Sequence, residues 1–325
     1  MRTKALGRTG EELTTIGLGT WAIGGGDWKY GWGPQDDRKS IAAIREALDL
    51  GVNWIDTARV YGLGHAEEVV GEAIKDRRDD IFLATKCGRH WRDDGTIYGN
   101  LSAESVREEC ESSLRRLNVD VIDMYQIHWP DPDEDIEEGW TEIARLIDEG
   151  KVRYGGVSNF NVSQLKRIQA IHPVASLQPP YNMLERDVEA EILPYCAAQG
   201  IGVVAYSPMM SGLLTGKFSQ EYLNHLDESD WRHGNKHFQE PAFGANLEFV
   251  ERLRPIANRS DISLPQLAIA WVLNRPEITS AIVGARRPDQ IEETAAAGDV
   301  VLSVDDVQAI EKLLAWREES VSAAT

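Results

Sequence analysis

Four residues that can carry a charge or a proton stand at or near the ends of apolar segments. Asp56, Lys86 and His128 each end an apolar run, and Tyr61 follows Asp56 by five residues. A lysine cation beside a tyrosine stabilises the tyrosinate and lowers the pKa of the phenol from its ordinary value of about 10. An aspartate would hold that lysine charged and oriented, and a histidine would donate a hydrogen bond to a carbonyl oxygen. The set predicts a proton-transfer site suited to the reduction of a carbonyl group.

Each of these residues also has an ordinary structural explanation. Asp56 could form an Asx turn, Lys86 could be a surface lysine, Tyr61 a packed aromatic and His128 a core histidine. Their common position favours the chemical interpretation, because barrel enzymes assemble their active sites at the C-terminal ends of strands.

The chain alternates eight short apolar segments with helical patterns. Near-continuous apolar runs are typical of a parallel sheet that is covered on both sides. With no Gly/Ser-rich or Pro-rich linker, the pattern predicts a single (β/α)₈ TIM barrel domain over residues 1–325, with a doubly wound α/β sheet as the alternative. The predicted strands are 15–19, 52–56, 80–86, 121–128, 153–158, 175–178, 202–207 and 280–284. The predicted helices are 37–51, 65–76, 102–118, 136–150, 162–170, 188–200, 288–297 and 303–317.

Two further features complete the predicted architecture. The first residues, TKALGRTGEELTT, predict a β-hairpin that turns at residues 8–10 and closes one end of the barrel. The segments 88–101, 208–262 and 302–325 interrupt the alternation, and we expect them to form long loops or lids at the C-terminal face, with one helix in the tail.

Composition narrows the classes of partner. The 325 residues include 34 basic and 53 acidic side chains, a net charge of −19, which disfavours nucleic acid and anionic membranes. The N-terminus carries no secretory pattern and no apolar run is long enough to cross a membrane. Cys87, Cys110 and Cys196 suit neither a disulfide framework nor a zinc site. We expect a cytoplasmic protein without a metal.

Four motifs suggest other chemistry and are weaker. GLGTWA (17–22) fits a dinucleotide fingerprint, but a glycine-rich stretch follows it in place of a helix. GLLTGK (212–217) is one residue short of a P-loop. His233 and His237 have the spacing of zinc ligands without a third ligand. The acidic run 131–138 could supply the carboxylates of a glycosidase, but a solvated loop before a helix N-terminus is favoured.

Nearly the whole chain resembles the aldo-keto reductases. The resemblance is carried by IGLGTWAIGG, GVNWIDTARVYG, GHAEEVVGEAI, ATKCG, LNVDVIDMYQIHWP, GKVRYGGVSNF, LQPPYN, AYSPMMSGLLTGKF and SAIVGARRPDQIEE. It implies a (β/α)₈ barrel that uses NADPH or NADH without a Rossmann motif. Asp56, Tyr61, Lys86 and His128 match the catalytic tetrad of the family.

The resemblance also implies a set of cofactor contacts. Ser158, Asn159 and Gln178 match residues that hold the nicotinamide carboxamide, and Tyr206 matches the aromatic that stacks on the nicotinamide ring. The stretch Ser207–Lys217 matches the loop over the pyrophosphate, and Arg286 or Arg287 would meet a 2′-phosphate. The remaining predicted contacts are Thr20, Trp21, Pro208, Met209, Gly212, Leu214, Lys217, Gly284, Gln290 and Glu293.

The cofactor motif departs from the family at two places. Gly284–Ala285 replaces a common Lys-Ser pair, and Thr294 replaces an adenine-contacting asparagine. The two adjacent arginines still favour a phosphate, so we expect NADP(H) to be preferred, with NAD(H) as the alternative.

The predicted substrate pocket is aromatic. Trp21 and Trp129 match residues that line the carbonyl site, and we add Trp32 and Arg59 to the pocket. Arg59 would either steer an anionic or polyhydroxylated substrate or pair with local acids. Trp28, Tyr30 and Trp91 lie in loops expected at the same rim.

We therefore expect an NAD(P)H-dependent oxidoreductase that reduces small aldehydes or ketones to alcohols, with Tyr61 as the proton donor. The alternatives are a cofactor-binding, redox-sensing regulatory subunit of the same fold and a barrel glycosidase. The sequence indicates neither the physiological substrate, nor the direction of the reaction, nor the oligomeric state.

Overall fold

Eight parallel strands close into a barrel in the computed structural model, which describes residues 1–26, 28, 30–228 and 230–324. Each barrel strand pairs with the next one along the chain, and the last pairs with the first. The predicted (β/α)₈ barrel is confirmed, and closure excludes the doubly wound sheet. The barrel strands are β3 (Ile16–Gly19), β4 (Trp54–Asp56), β5 (Phe82–Cys87), β8 (Ile122–Ile127), β9 (Val152–Ser158), β10 (Ser176–Gln178), β11 (Gly202–Ala205) and β12 (Ile278–Gly284); the other strands are β1 (Thr3–Ala5), β2 (Glu12–Thr14), β6 (Arg89–Trp91) and β7 (Ile97–Gly99).

Helices surround the barrel, and each predicted helix lies within four residues of its predicted bounds, except that the tail helix ends seven residues later than predicted. They are α1 (Asp37–Asp49), α2 (His65–Ile74), α3 (Ala103–Leu117), α4 (Ile136–Asp148), α5 (Val162–Gln169), α6 (Ile192–Gln199), α7 (Gln220–Asn224), α8 (Ala242–Arg259), α9 (Leu264–Leu273), α10 (Pro288–Ala295) and α11 (Val304–Ala324). Within the described residues, no helix combines the length and apolar character needed to cross a membrane.

Helices α7, α8 and α9 were not predicted. In α8, Gly244 and Pro255 interrupt the helical pattern, although the helix runs through both. In α9 nearly every residue is buried, so its sequence LPQLAIAWVL carries no polar face from which a helical period could be read. The segment 208–262 is therefore less irregular than expected, and 88–101 contains the small β6–β7 hairpin.

The N-terminal hairpin closes the bottom of the barrel, as predicted. β1 and β2 pair antiparallel, and Leu6 and Leu13 are buried against Trp54 and Met124 of the barrel interior. Gly7 has a φ of +54° and approaches Gly200 so closely that an added Cβ would lie 2.5 Å from the Gly200 carbonyl oxygen. A side chain at position 7 would therefore push the hairpin away from the barrel.

An ion cluster around the buried Asp123 stabilises the same end. Asp123 at the start of β8 accepts hydrogen bonds from the Leu83 N–H at 2.8 Å, Arg78 Nη2 at 2.7 Å and Arg153 Nη1 at 2.8 Å. Arg153 also contacts Glu11 of the hairpin. The cluster links β5, β8, β9 and the hairpin, so its role is structural.

Alternate side chains of each strand face the barrel interior. Along β8 this places Met124 low in the barrel, Gln126 in the middle and His128 just beyond the C-terminal end. The lower layer is apolar, whereas the layer that contains Gln126 is polar. Among the described residues, the predicted proton-transfer residues gather only at the C-terminal ends of the barrel strands.

Candidate active site

Asp56, Lys86 and Tyr61 form one chain of contacts beneath the open end of the barrel. Lys86 Nζ lies 2.5 Å from Asp56 Oδ2 and 3.3 Å from Tyr61 Oη, and it donates to the Thr57 carbonyl at 2.9 Å. The exposed fractions of Asp56, Lys86 and Tyr61 are 2%, 1% and 7%. The lysine is therefore the central member, in contact with both the acid and the phenol.

Strand register explains this proximity. Asp56 pairs with Ala84 of the neighbouring strand, and Lys86 lies two residues further along that strand, so both side chains face inward. Tyr61 returns to the barrel by a turn in which its N–H donates to the Ala58 carbonyl at 3.0 Å. Gly24 packs on this turn, since an added Cβ would lie 2.5 Å from the Gly62 nitrogen. The first loop of the barrel thus holds the tyrosine in place.

His128 faces Tyr61 edge-on, with the ring centroids 5.7 Å apart. The histidine backbone is held at both ends: its N–H donates to the Cys87 carbonyl at 3.0 Å, and its carbonyl accepts from Asn159 Nδ2 at 3.1 Å. Burial, followed by the charges of Lys86 and Arg89, lowers the pKa of His128 well below its ordinary value. The imidazole is therefore neutral at neutral pH and can donate from one nitrogen only.

The structure corrects the expected acidity of Tyr61. Burial, followed by the negative charge of Asp56, raises the pKa of the phenol well above its ordinary value. The predicted lowering by Lys86 is wrong for this state, because Asp56 lies closer to the lysine than the phenol does and both groups are out of water. Burial also lowers the pKa of Lys86. The phenol therefore keeps its proton across the neutral range, as a proton donor must.

The second oxygen of Asp56 is held by two amides. Gln178 Nε2 lies 2.8 Å and Gln126 Nε2 3.3 Å from Asp56 Oδ1. Gln126 was not predicted as a site residue. The signal that could have found it is its spacing, because residue 126 shares the inward face of β8 with His128.

Ser158, Asn159 and Gln178 lie together beside Tyr206. The Ser158 hydroxyl donates to the Gln178 carbonyl at 2.8 Å, and the Tyr206 hydroxyl donates to Asn159 Oδ1 at 2.9 Å. Asn159 has a φ of 64°, a conformation that asparagine tolerates better than most residues. Gln178 reaches both this group and Asp56. These polar groups form one hydrogen-bonded wall of the cleft.

The segment from Ser207 to Lys217 lines the next part of the cleft. Its backbone has positive φ at Ser207, Met210, Ser211 and Gly212, so it bends sharply around the opening. Pro208, Met209, Gly212 and Lys217 line the cleft. Leu214 does not, which corrects its prediction as a cofactor contact: its side chain is fully buried in the hydrophobic core.

The two adjacent arginines differ in their surroundings. Arg286 donates to Gln35 Oε1 at 2.7 Å, to the Trp32 carbonyl at 3.0 Å and to the Pro34 carbonyl. Burial, followed by the charge of Arg287, lowers the pKa of Arg286. Arg287 is more exposed and pairs with Asp289 at 2.9 Å. Both line the cleft, but Arg286 also holds the loop that carries Trp32.

The polar and charged residues described above line one cleft of about 1600 Å³ at the C-terminal face or lie directly beneath it. Thr20, Trp21, Gly284, Gln290 and Glu293 line it as well, and their contact with a cofactor stays a prediction. Among the described residues, the charged side chains that line the cleft are six basic (Lys39, Arg89, Lys217, Arg232, Arg286, Arg287) and four acidic (Asp36, Asp56, Glu185, Glu293). Three of the arginines are paired with acids that are not among these lining residues: Arg89 with Asp131, Arg232 with Asp230 and Arg287 with Asp289.

Aromatic side chains line the cleft around Tyr61. The Trp21 ring lies 5.9 Å from Tyr61, 6.1 Å from Trp28 and 6.3 Å from Trp231, measured between centroids. Trp32 and Trp129 also line this region, in agreement with the predicted pocket. Trp231 was missed because it lies in the segment 208–262, where no sequence pattern indicated which face would be buried.

Arg59 faces away from the cleft. Its Nη1 lies 3.6 Å from the buried Glu109 Oε2, and its guanidinium lies 4.3 Å from the centroid of Trp91. Glu109 also accepts from the Gly88 N–H at 3.1 Å. Arg59 is not among the lining residues in the described part of the chain. Of the two predicted roles, the pairing with a local acid is the one that the geometry supports.

The four weaker motifs have structural explanations. The GLG of residues 17–19 ends β3, and the 3₁₀ turn Trp21–Ile23 follows it in place of a helix. GLLTGK belongs to the cleft loop. His233 and His237 lie in separate 3₁₀ turns, and the described residues contain no His/Cys/Asp/Glu group that could hold a metal. In the acidic run, Asp133 and Glu137 both pair with Arg167.

Sequence comparison relates this chain to proteins of known class. A model of the Aldo/keto reductase family matches residues 15–315. The chain is 40% identical to aldo-keto reductase YhdN of Bacillus subtilis, covering 97% of this chain and 94% of the relative. It is 36% identical to the NADH-specific methylglyoxal reductase of Escherichia coli, covering 94% of this chain and 96% of the relative.

A solved structure gives the same relationship in three dimensions. Glycerol dehydrogenase AKR11B4 of Gluconobacter oxydans superposes with a TM-score of 0.87 at 37% identity, covering 94% of this chain and 93% of the other. Fold and sequence agree across nearly the whole length. The chain belongs to the aldo/keto reductase family.

Proposed function

We propose that this protein is an NADP(H)-preferring reductase of small aldehydes and ketones in which Tyr61 donates the proton. The observation that carries the proposal is the contact chain Asp56–Lys86–Tyr61, with His128 facing the phenol, at the base of an aromatic cleft. The family as a whole supplies an NAD(P)H-dependent carbonyl reductase framework. The substrate, the proton donor and the cofactor preference are what we add to it.

The four residues divide the work of proton delivery. A carbonyl oxygen placed between Tyr61 Oη and the His128 ring would receive a hydrogen bond from each. Bound nicotinamide supplies the hydride. As negative charge grows on the oxygen, Tyr61 releases its proton to it, and the Lys86 cation at 3.3 Å stabilises the phenolate that remains. Asp56 keeps Lys86 directed towards the phenol.

The donors in the cleft suit a dinucleotide with an added phosphate. The amides and hydroxyls of Ser158, Asn159 and Gln178 offer the donor and acceptor pair that a carboxamide needs, and Tyr206 offers a flat ring beside them. Arg286 and Arg287 supply planar guanidinium groups that suit phosphate oxygens. One relative is NADH-specific, so the preference needs its own test.

One assay tests the reaction class. Purified protein is given NADPH or NADH with a panel of aldehydes, ketones and aldoses, and cofactor consumption is followed by absorbance. A parallel incubation with glycosides is analysed for free sugar. We expect carbonyl-dependent oxidation of NADPH. Cofactor binding without turnover would instead support the regulatory subunit, and release of sugar from glycosides would support the glycosidase.

A second assay tests the cofactor preference. We expect Arg287→Ala and the double variant Arg286→Ala/Arg287→Ala to raise the KM for NADPH by about tenfold or more, since each phosphate contact contributes about 1.5 to 3 kcal/mol. The KM for NADH should change far less. Equal changes for the two cofactors would remove the 2′-phosphate assignment.

The remaining parts of the proposal concern the setting of the enzyme. We propose a single domain over residues 1–325, because barrel and helices share one hydrophobic core. We propose a cytoplasmic location, because the three cysteines are free and buried, as suits a reducing compartment. A small-molecule carbonyl or alcohol is the proposed partner.

A further inference from the structure

Gln126 lies in the polar middle layer of the barrel, directly beneath the proposed active site. In β8 it is two residues before His128 and pairs with Lys86 on β5 and Gly156 on β9. Its exposed fraction is 1%, and it is not among the residues that line the cleft in the described part of the chain. A buried amide in an apolar barrel must have hydrogen-bonding partners to offset its desolvation.

Gly156 makes room for the Gln126 side chain. A Cβ built at position 156 would lie 3.0 Å from Gln126 Cγ and 2.8 Å from Met124 Sδ. A larger residue there would force Gln126 out of its present path across the barrel. The glycine therefore allows the amide to reach the neighbouring strands.

The amide of Gln126 is directed at the catalytic carboxylate. Gln126 Nε2 lies 3.3 Å from Asp56 Oδ1, whereas Lys86 contacts Asp56 Oδ2. Gln178 shares Oδ1 at 2.8 Å, but Gln178 also lines the cleft where the carboxamide is proposed to bind. Gln126 is not among the described lining residues, so a bound cofactor would not compete for its amide.

The other end of the amide has a site for one water molecule. Gln126 Oε1 and Ser176 Oγ are buried without a protein partner among the described residues. Both residues line a void of about 10 Å³, roughly the space that one buried water requires. A water there would donate to Gln126 Oε1 and fix the orientation in which Nε2 faces Asp56.

We propose that Gln126 is a positioning residue for the proposed carbonyl reduction: by donating to Asp56 Oδ1 it directs the carboxylate towards Lys86 and reduces the negative charge that Asp56 presents to Tyr61. The role rests on the proposed function. It acts on the proton-transfer chain from below and leaves the binding of substrate and cofactor to residues of the cleft.

Ionisable residues from several elements face Tyr61. Lys86 on β5 and Asp56 on β4 face Tyr61 directly, His128 faces it from beyond β8, and Tyr206 from beyond β11. Farther out, the charge of Glu67 on α2 acts on Lys86. A substitution at Gln126 leaves each of these ionisable groups in the protein, so a change in proton transfer reports the loss of the amide and its effect on Asp56.

The test measures alcohol oxidation against pH, because in that direction Tyr61 must lose its proton before turnover. In Gln126→Leu the uncompensated charge of Asp56 opposes ionisation of Tyr61 more strongly. We expect the rising limb of the kcat profile to move up by about half a pH unit to one unit, and kcat below that limb to fall about three- to tenfold. The KM values for substrate and cofactor should stay within about twofold, because Gln126 does not line the cleft.

Gln126→Glu tests the hydrogen bond itself. Burial and the adjacent Asp56 raise the pKa of the introduced carboxyl, so it keeps its proton at neutral pH and donates to Asp56. We expect kcat within about threefold of wild type at neutral pH, and a loss at high pH once that proton leaves. A purely structural role would not produce this pH-dependent rescue.

Met124→Leu is the matched control. Met124 lies on the same face of β8 as Gln126, but it belongs to the apolar lower layer of the barrel. Its profile should match wild type. Thermal unfolding checks each variant, and if Gln126→Leu does not fold, the high-pH loss in Gln126→Glu decides alone. If the wild type is active and both Gln126 variants show the same kcat and the same pH profile as the wild type, the positioning role alone is overturned. A wild type without carbonyl or alcohol turnover would overturn the proposed function and this role with it.

Discussion

Two buried aspartates at opposite ends of the barrel are held in different ways. Asp56 at the C-terminal end pairs with Lys86 and two amides, while Asp123 at the N-terminal end pairs with Arg78, Arg153 and a backbone N–H. Their exposed fractions, 2% and 3%, are nearly equal. Burial alone therefore does not distinguish the proposed catalytic acid from the structural one.

The difference lies in the cation. Arginine stays charged at any accessible pH and fits a carboxylate through its planar guanidinium, so the Asp123 cluster is a fixed brace. A buried lysine has an adjustable pKa, and Lys86 also contacts a phenol that can exchange a proton. The contrast between the two ends indicates that a buried carboxylate is a candidate for catalysis when its cationic partner has an adjustable pKa and contacts a group that exchanges a proton.

The largest effect that we predict is for Tyr61→Phe. Removing the hydroxyl removes the proposed proton donor while the ring keeps its contacts with Trp21 and His128. We expect kcat for carbonyl reduction to fall by about 10³-fold, with the Kd for NADPH nearly unchanged in a fluorescence titration. Retained turnover would sink the assignment of Tyr61 as donor.

Lys86→Arg replaces the proposed catalytic Asp–Lys pair with an Asp–Arg pair of the kind found at Asp123. Charge is kept, but the guanidinium is bulkier and cannot adjust its protonation, so we expect kcat to fall by about 10²-fold. Steady-state kinetics measures the loss. The matched control is the reverse exchange, Arg78→Lys, which should leave kcat unchanged. If Lys86→Arg worked as well as wild type, a fixed charge would suffice and the comparison would lose its chemical meaning.

Asp123→Asn tests the other end. It removes the carboxylate that Arg78 and Arg153 share and leaves Arg153 with Glu11 alone, so we expect the free energy of unfolding to fall by about 2 to 3 kcal/mol. Denaturant titration measures this, and kcat per folded molecule should not change.

Asp56→Asn is the counterpart: Lys86 can release its proton, so stability should fall less and kcat far more. If Asp56→Asn and Asp123→Asn lost stability and kcat in the same proportion, the distinction between the two aspartates would be wrong.

The smallest effect extends the comparison to a histidine outside the site. Burial, followed by the charges of Lys236 and Arg317, lowers the pKa of His237 to about 4, below the ordinary 6.5. The unfolded chain takes up a proton below pH 6.5 before the folded protein does, so this group favours unfolding as pH falls from 6.5 towards 4. We expect His237→Leu to lose about 2 kcal/mol less stability than wild type between pH 7 and 4.5. Parallel melting temperatures across that range would contradict the shift.

Sequence reasoning succeeded where the physical signal is local. Strand ends at Asp56, Lys86 and His128 were readable because apolar runs end there, and parallel strands bring such ends together. The geometry of Tyr61 and the aromatic cleft followed from the same rule and from the family resemblance. The pairing of Asp56 with Lys86 could therefore be predicted from the sequence.

Failures concentrate where the deciding contact is distant in sequence. Arg59 faces Glu109, fifty residues later, and nothing in its neighbourhood indicates that partner. Leu214 lies in a loop expected to contact cofactor, but its orientation depends on how that loop packs on the core. The acidity of Tyr61 depends on burial, which the sequence does not give. Gln126 was passed over because a lone amide in a strand has no chemistry of its own.

The contacts of Arg286 have a consequence for protein engineering. The same guanidinium lines the part of the cleft that we propose for the cofactor and holds three acceptors of the segment that carries Trp32. An exchange at this position intended to change the cofactor preference would also free this segment and with it Trp32, which lines the proposed substrate pocket. On the proposed function, cofactor choice and substrate choice are therefore coupled at Arg286, whereas Arg287 pairs with Asp289 and can be exchanged without freeing the segment.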